Sequence, residues 1–148
     1  SPATFKTCFR VSWADTDAAQ VVHFSNYFRF FEKTEEEFYR HLGFTFTDAH
    51  EKGTDSHGLK LSAIQKTSQI QDLLEVELTI EDLKEKSIKY GFKIFNKESA
   101  VLLANGHVVV VVADRQTGKA TQIPKEIAEK LKMFANKFLR KKISENLK

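Results

Sequence analysis

Two aspartates and a histidine stand close together early in the sequence, at Asp15, Asp17 and His23. A carboxylate can attack a carbonyl carbon or take a proton from water, and an imidazole can contact a substrate or exchange protons. An aspartate ahead of a helix is, however, more often a cap or turn residue, and a histidine beside an apolar run is more often packed. The residue types alone therefore leave a catalytic and a structural interpretation open.

A long helix is predicted to follow these residues and to position them. Ser25 is a suitable N-cap, and Gly43 stands where a left-handed C-terminal cap is expected. An apolar stripe between them predicts a helix of roughly 17 residues with one face against a core. The stripe consists of Tyr27, Phe31, Phe38 and Leu42, with Phe28 beside them. The first N–H groups of such a helix have no partners within it, and with the helix dipole they suit a developing negative charge.

Several other segments alternate apolar and polar residues, a pattern that predicts strands with one buried face. These segments are Phe5–Trp13, Leu59–Ala63, Leu74–Glu81 and Ile88–Ile94. A further strand is predicted over Ala100–Ala113, buried on both faces for part of its length because five valines follow one another from Val108. A last helix is predicted to start at Pro124, with one apolar stripe. That stripe consists of Ile127, Leu131, Phe134 and Phe138.

The order strand, long helix, four strands, helix predicts an α+β fold. Short turns between the strands favour an antiparallel sheet, and the aromatic helix is the natural filling of a curled sheet. No repeat or low-complexity segment divides the 148 residues, so a single domain over residues 1–148 is predicted.

The composition is typical of a soluble globular protein, with 41% hydrophobic and 29% charged residues. No run approaches ~18 apolar residues, so neither a transmembrane helix nor a membrane partner is expected. The first residues lack the basic and apolar pattern of a signal peptide. The single cysteine, Cys8, excludes an intramolecular disulfide, and no Cys/His spacing resembles a zinc site. These features predict a reducing, cytoplasmic compartment.

Positive charge is concentrated near the end of the sequence, where residues 125–148 hold eight basic and three acidic side chains. Such a segment could contact nucleic acid or anionic lipid. Because no aromatic residues alternate with the basic ones, a solvated lysine-rich face is the favoured interpretation. No nucleic-acid partner is therefore expected.

The segment around the two aspartates resembles a known family. Residues 15–27, DTDAAQVVHFSNY, followed by Phe30, Phe31 and Glu32, are similar to the hotdog-fold acyl-CoA thioesterases of the 4-hydroxybenzoyl-CoA thioesterase type. Weaker agreement continues through the strands to the turn at residues 114–118 and to residues 123–124, so it covers nearly the whole chain. Gln20 stands where the family usually has glycine, which restricts the backbone angles that the loop adopts without strain.

This resemblance implies a hotdog fold, in which a curled antiparallel sheet of about five strands wraps around a long central helix. It implies hydrolysis of the thioester of an aromatic or fatty acyl-CoA. Asp17 matches the family's catalytic carboxylate, which attacks the thioester carbonyl or activates a water to do so. The backbone N–H of Phe24 matches the position that polarises this carbonyl. No metal ion and no redox cofactor are implied, and coenzyme A enters only as part of the substrate.

Further residues are candidates for contacts with the substrate. They are His23, Asn26, Tyr27, Lys86, Lys89 and Arg115. The first three lie at the start of the long helix, which Asn26 and Tyr27 are predicted to anchor, with Tyr27 also beside the acyl pocket. The last three lie on or beside strand ends, where basic groups could bind the phosphates of coenzyme A. Lysines on exposed strand faces are also common without any function.

Two other functions are compatible with the same scaffold. A hydratase or dehydratase would use His23 and a helix carboxylate such as Glu35 as its acid–base pair, although the run Glu35–Glu37 is more simply a solvated helix edge. An acyl-CoA-binding sensor without turnover would use the same pocket, but the acidic residue at position 17 argues against it. The resemblance also implies a homodimer or homotetramer with active sites at the interface.

Overall fold

Five strands and two helices make up the part of the chain that the computed structural model describes. That part comprises residues 3–12, 14, 24–44, 54–64, 72–114 and 116–136, with the backbone alone at 24, 25 and 54–64. The elements in chain order are β1 (Thr4–Arg10), α1 (Phe24–Leu42), β2 (Thr54–Ile64), β3 (Leu73–Leu83), β4 (Ser87–Asn96), β5 (Leu102–Val112) and α2 (Lys125–Ala135). The predicted order of strands and helices is confirmed.

The five strands form one sheet in the order β1-β3-β4-β5-β2, and every neighbouring pair is antiparallel. β3, β4 and β5 follow one another along the chain as a meander. β1 and β2 join the meander from outside and form its two edges. The predicted antiparallel sheet is therefore confirmed.

One face of the sheet is apolar and packs against α1, because alternate residues of each strand point to the same face. The buried side chains of the meander include Leu74, Val76, Leu78, Ile88, Tyr90, Phe92, Ile94, Val108 and Val110. From α1, the ring of Phe31 lies 5.1 Å from that of Phe92 and 6.2 Å from that of Tyr90. Phe38 is also in contact with three elements, since its ring lies 5.4 Å from Phe5, 6.2 Å from Tyr90 and 4.8 Å from Phe134. Aromatic rings thus form the joint between helix and sheet.

Both ends of α1 depend on the local sequence. The helix begins at Phe24, slightly before the start predicted from Ser25, and the N-cap role of Ser25 remains a prediction. At the other end, Gly43 has φ 96°, the left-handed conformation predicted for it. Its N–H donates to the carbonyl of Arg40 at 3.1 Å, and the N–H of Phe44 donates to that of Tyr39 at 3.1 Å. This is a Schellman-type cap, which glycine favours.

Some predicted boundaries and burial patterns differ from the structure. β1 ends at Arg10, before the predicted end at Trp13, and β2 begins at Thr54, before the predicted start at Leu59. Position 13 itself lies outside the described residues, as does Phe138 of the stripe predicted for the last helix. The consecutive residues Leu103 and Ala104 of β5 are both buried, but the valine run is buried on one face only, since Val108, Val110 and Val112 are buried whereas the valines between them are half-buried. A valine run favours a strand on either face, so it does not report double burial.

Candidate active site

The start of α1 carries the candidate residues nearest to the predicted chemistry. Phe24 is the first residue of the helix, so its backbone N–H is one of the four that have no acceptor within an α-helix. The aligned peptide dipoles give this end of the helix a partial positive charge. A carbonyl oxygen directed at it would be stabilised as negative charge develops on the oxygen.

Asn26 and Tyr27 follow within the first turns of α1. Asn26 is half-buried, whereas Tyr27 is buried in the core with its ring 6.5 Å from that of Phe30. Tyr27 therefore lies in the joint between helix and sheet just beyond the helix start. The substrate contacts predicted for both residues remain predictions.

Three predicted site residues lie outside the part of the chain that the structure describes. These are Asp17, His23 and Arg115. The carboxylate role of Asp17, the substrate contact of His23 and the phosphate contact of Arg115 remain predictions. In the sequence, residues 15–23 directly precede the helix start at Phe24.

The two candidate lysines lie on different parts of the sheet. Lys86 is exposed in the turn between β3 and β4, and its carbonyl accepts a hydrogen bond from the N–H of Val112 at 3.0 Å. Lys89 stands between Ile88 and Tyr90, which are buried, so its side chain lies on the opposite, outer face of the sheet. Its Nζ lies 3.7 Å from a carboxylate oxygen of Glu81. A contact of Lys89 with coenzyme A would thus compete with this ion pair.

The outer face also contains a carboxylate–histidine contact that sequence patterns did not reveal. The same Oε2 of Glu81 lies 2.8 Å from Nδ1 of His107, two strands away. Glycine at position 91 on the strand between them leaves room for this contact, because a Cβ there would lie 2.3 Å from Oε1 of Glu81 and the glutamate side chain would have to shift. The alternation around Gly91 indicated a strand but gave no sign of this bridge.

Glu35 is buried, and the solvated edge predicted for the run Glu35–Glu37 is wrong at this position. Only 6% of Glu35 is exposed. The hydroxyl of Tyr39 donates a hydrogen bond to its Oε2 at 3.1 Å, and the hydroxyls of Tyr39 and Tyr90 are 3.0 Å apart. The spacing of four between Glu35 and Tyr39, beside the apolar stripe, is the signal that could have indicated this pair.

The remainder of the acidic run behaves as predicted. Glu36 and Glu37 lie at the surface of α1, where both carboxylates form ion pairs with Arg40. Burial is therefore specific to position 35, which lies on the core side of the helix.

Burial changes the proton affinity of the groups around Glu35. The pKa of the Glu35 carboxyl is raised to about 7, chiefly by desolvation. The hydrogen bond from Tyr39 lowers this pKa, and the nearby charge of Glu32 raises it. Burial also raises the pKa of both tyrosine hydroxyls well above 10.0. At neutral pH both hydroxyls are therefore protonated, and Glu35 exchanges its proton near neutrality.

The described residues contain no group of three or more His, Cys, Asp or Glu side chains arranged to hold a metal ion. Neither helix in the described ranges is long and apolar enough to cross a membrane.

Comparison with known proteins shows similarity over most of the chain. The family model of the Thioesterase-like superfamily matches residues 11–131. A protein of Aquifex aeolicus (strain VF5) is 35% identical over 124 residues, which are 83% of this chain and 94% of that protein. The acyl-CoA thioesterase YbgC of Haemophilus influenzae is 30% identical over 120 residues, which are 80% of this chain and 87% of YbgC.

A solved structure has the same arrangement of strands and helices. The 4-hydroxybenzoyl-CoA thioesterase from Pseudomonas sp. strain CBS-3 matches with a TM-score of 0.75, covering 86% of this chain and 99% of that one. At 17% sequence identity this likeness shows the fold alone. The predicted hotdog fold is thereby confirmed.

Proposed function

The chain belongs to the Thioesterase-like superfamily, and from this membership we propose that it hydrolyses the thioester bond of an aromatic or fatty acyl-CoA. Thioester hydrolysis is the activity that gives the family and the YbgC relative their names. The observation that carries the proposal is the start of α1 at Phe24, directly after the segment that contains Asp17.

In the proposed reaction the thioester carbonyl oxygen points at the N–H of Phe24, where the helix end stabilises the oxyanion. Asp17 either attacks the carbonyl carbon, giving an anhydride that water then hydrolyses, or takes a proton from the water that attacks. By either route the carbon–sulfur bond breaks, the acid is released, and coenzyme A leaves as a thiol after taking up a proton. These steps require no metal ion and no redox cofactor.

Substrate binding is proposed to use residues beyond the reacting centre. His23, Asn26 and Tyr27 are proposed to contact the substrate around the helix start. Lys86, Lys89 and Arg115 are proposed to bind the phosphates of coenzyme A. The protein is proposed to act as a single domain over residues 1–148, in the cytoplasm, as a homodimer or homotetramer.

The structure disfavours an acid–base pair of His23 and Glu35, as a hydratase or dehydratase would require. The carboxyl of Glu35 is buried and hydrogen-bonded to Tyr39. Its Cα also lies eleven residues along α1 from Phe24, which is roughly 16 Å along the helix axis. A group at that distance is badly placed to act on the carbonyl that the helix start polarises.

Replacement of Asp17 by asparagine tests the proposed hydrolysis. Asparagine has nearly the same shape but carries no charge, so Asp17→Asn is expected to lower kcat roughly 10²–10⁴-fold while binding of a non-hydrolysable acyl-CoA analogue persists. Thiol release from a panel of aromatic, short-chain and long-chain CoA thioesters is the measurement. Asp15→Asn, in the same segment, is the matched control and should leave kcat within a few-fold.

The same measurements distinguish the other functions. A rate that survives Asp17→Asn within a few-fold would contradict the assignment. A loss of activity that is confined to the variants His23→Ala and Glu35→Gln would favour a hydratase or dehydratase. Binding of acyl-CoA by the unaltered protein, with no thiol released from any thioester of the panel, would favour a sensor.

A further inference from the structure

A chain of three polar groups crosses the apolar joint between α1 and the sheet. The buried polar side chains of the described residues are Thr34 and Glu35, both on α1. The hydroxyl of Thr34 donates to the carbonyl of Phe30, so it stays within the helix. Glu35 instead reaches the sheet, because its partner Tyr39 contacts the hydroxyl of Tyr90 on β4.

Aromatic rings enclose this polar chain. The rings of Phe31 and Phe38 each lie 6.2 Å from that of Tyr90, and Phe44 stacks on Tyr39 at 5.1 Å. Such surroundings provide no hydrogen bonds in place of those that water would give to a charged carboxylate.

The charged groups around Glu35 do not offset a negative charge. From its own helix Glu32 faces it with a like charge, and from β4 the facing group is the neutral hydroxyl of Tyr90. From α2, the Nζ of Lys130 lies 5.8 Å from the ring of Phe44, which stacks on Tyr39. Among the described residues no Lys, Arg or His side chain forms an ion pair with Glu35.

The direction of the hydrogen bonds depends on the proton of Glu35. With the carboxyl ionised, Tyr90 donates to Tyr39 and Tyr39 donates to Glu35, so a single hydroxyl donates a hydrogen bond to the charged carboxylate. With the carboxyl protonated, the order can also run from Glu35 to Tyr39 to Tyr90, since either tyrosine can be the donor in their contact. Burial raises the pKa of Glu35 to about 7, in agreement with this geometry.

We propose that Glu35 is a positioning residue, whose protonated carboxyl holds α1 against Tyr90 of β4 and so keeps the helix start aligned for catalysis. This inference rests on the proposed function. Ionised Glu35 gains hydration only if α1 moves away from β4. Because α1 is one continuous helix from Phe24 to Leu42, such a shift also displaces the N–H of Phe24. A displacement of about 1 Å at a catalytic group can lower a rate about 10²-fold.

The pH dependence of hydrolysis tests the inference, using the unaltered protein, Glu35→Gln and Glu36→Gln. Above about pH 7, kcat of the unaltered protein should fall up to about tenfold per pH unit. Glutamine keeps an acceptor for Tyr39 but has no proton to lose, so Glu35→Gln should retain kcat at high pH. Glu36→Gln, in the surface ion pair with Arg40, is the matched control and should follow the unaltered protein. KM should change by less than about twofold in both variants.

A second measurement does not depend on turnover. In NMR spectra recorded across the same pH range, the backbone amide resonances of Phe24 and Asn26 should shift with a midpoint near 7 in the unaltered protein and stay in place in Glu35→Gln. If no form releases thiol, the proposed function fails while these shifts still support the coupling. Amide resonances that do not respond to Glu35, or equal pH profiles of kcat in Glu35→Gln and the unaltered protein, would overturn the inference.

Discussion

Glu35, Glu36 and Glu37 are three identical side chains whose chemistry differs because of where the helix places them. Two of them share Arg40 at the surface, where an exposed ion pair contributes about 0–1 kcal/mol. The third is enclosed by rings and exchanges its proton near neutral pH. Residue type alone therefore does not determine the charge on this helix.

The raised pKa of Glu35 makes the free energy of unfolding depend on pH. The pKa is about 7 in the folded protein and about 4.5 in the unfolded chain. Below pH 4.5 both states hold the proton. Above pH 4.5 the unfolded chain loses its proton while the folded protein still holds it, so stability falls as pH rises from there through 7. Between about pH 5 and about pH 8, Glu35→Gln should gain roughly 2–3 kcal/mol relative to the unaltered protein. Urea unfolding at both pH values is the measurement, and a constant difference would contradict the expectation.

The sequence indicated the family by its motif, and it predicted burial less well. Residues 15–27 indicated the family because the spacing of their types is unusual, and membership of the family is confirmed. The run Glu35–Glu37 indicated a helix edge exposed to solvent, because three consecutive carboxylates are normally exposed. Position 35 is an exception because its partner Tyr39 contacts Tyr90, which lies far along the chain on β4, and no local pattern reports that second contact.

At the scale of elements, local chemistry determined what could be predicted. Gly43 was recognised as the C-terminal cap because only a few residue types accept its backbone conformation. The alternation of β3 and β4 was recognised because one face of each strand is buried. The pairing of β1 with β3 and of β2 with β5 was not predicted, because it joins segments distant in the chain.

The cap of α1 gives a test at this scale. Gly43→Ala places a Cβ in the left-handed region and should lower the free energy of unfolding by about 1–2 kcal/mol. The added atom would also lie 3.4 Å from Nζ of Lys130, a flexible group that can move. Gly43→Asn is the matched control and should lose less, because asparagine adopts this conformation more readily. Equal losses in the two variants, measured by urea unfolding, would argue against backbone strain as the cause.

At the scale of the whole molecule, the edges of the sheet bear on assembly. Among the described residues the exposed large hydrophobics are Val101 and Met133, so a large apolar patch on these residues is not the reason to expect an oligomer. The reason lies in β2, which pairs with β5 on one side and forms an edge of the sheet on the other. A long edge strand offers backbone groups to a second chain.

Sedimentation velocity tests this expectation. At micromolar concentration the protein should sediment as a dimer or tetramer rather than as a species of 17.0 kDa. A proline substituted within β2 at a residue whose N–H faces away from β5 should shift the distribution towards the monomer. A monomer in the unaltered protein would remove the basis for active sites shared between chains.

The order of the strands also affects the sequence of events during folding. The meander of β3, β4 and β5 joins neighbours along the chain, whereas Thr4 must reach Thr79 and Thr54 must reach Val112 before the flanking strands can pair. Closing such long loops costs more entropy than forming a hairpin, so folding should begin in the meander and end with β1 and β2. Until then the rings of the long helix and of the meander face water together. The speed of the final pairing steps thus sets how long each newly made chain is exposed to aggregation with its neighbours.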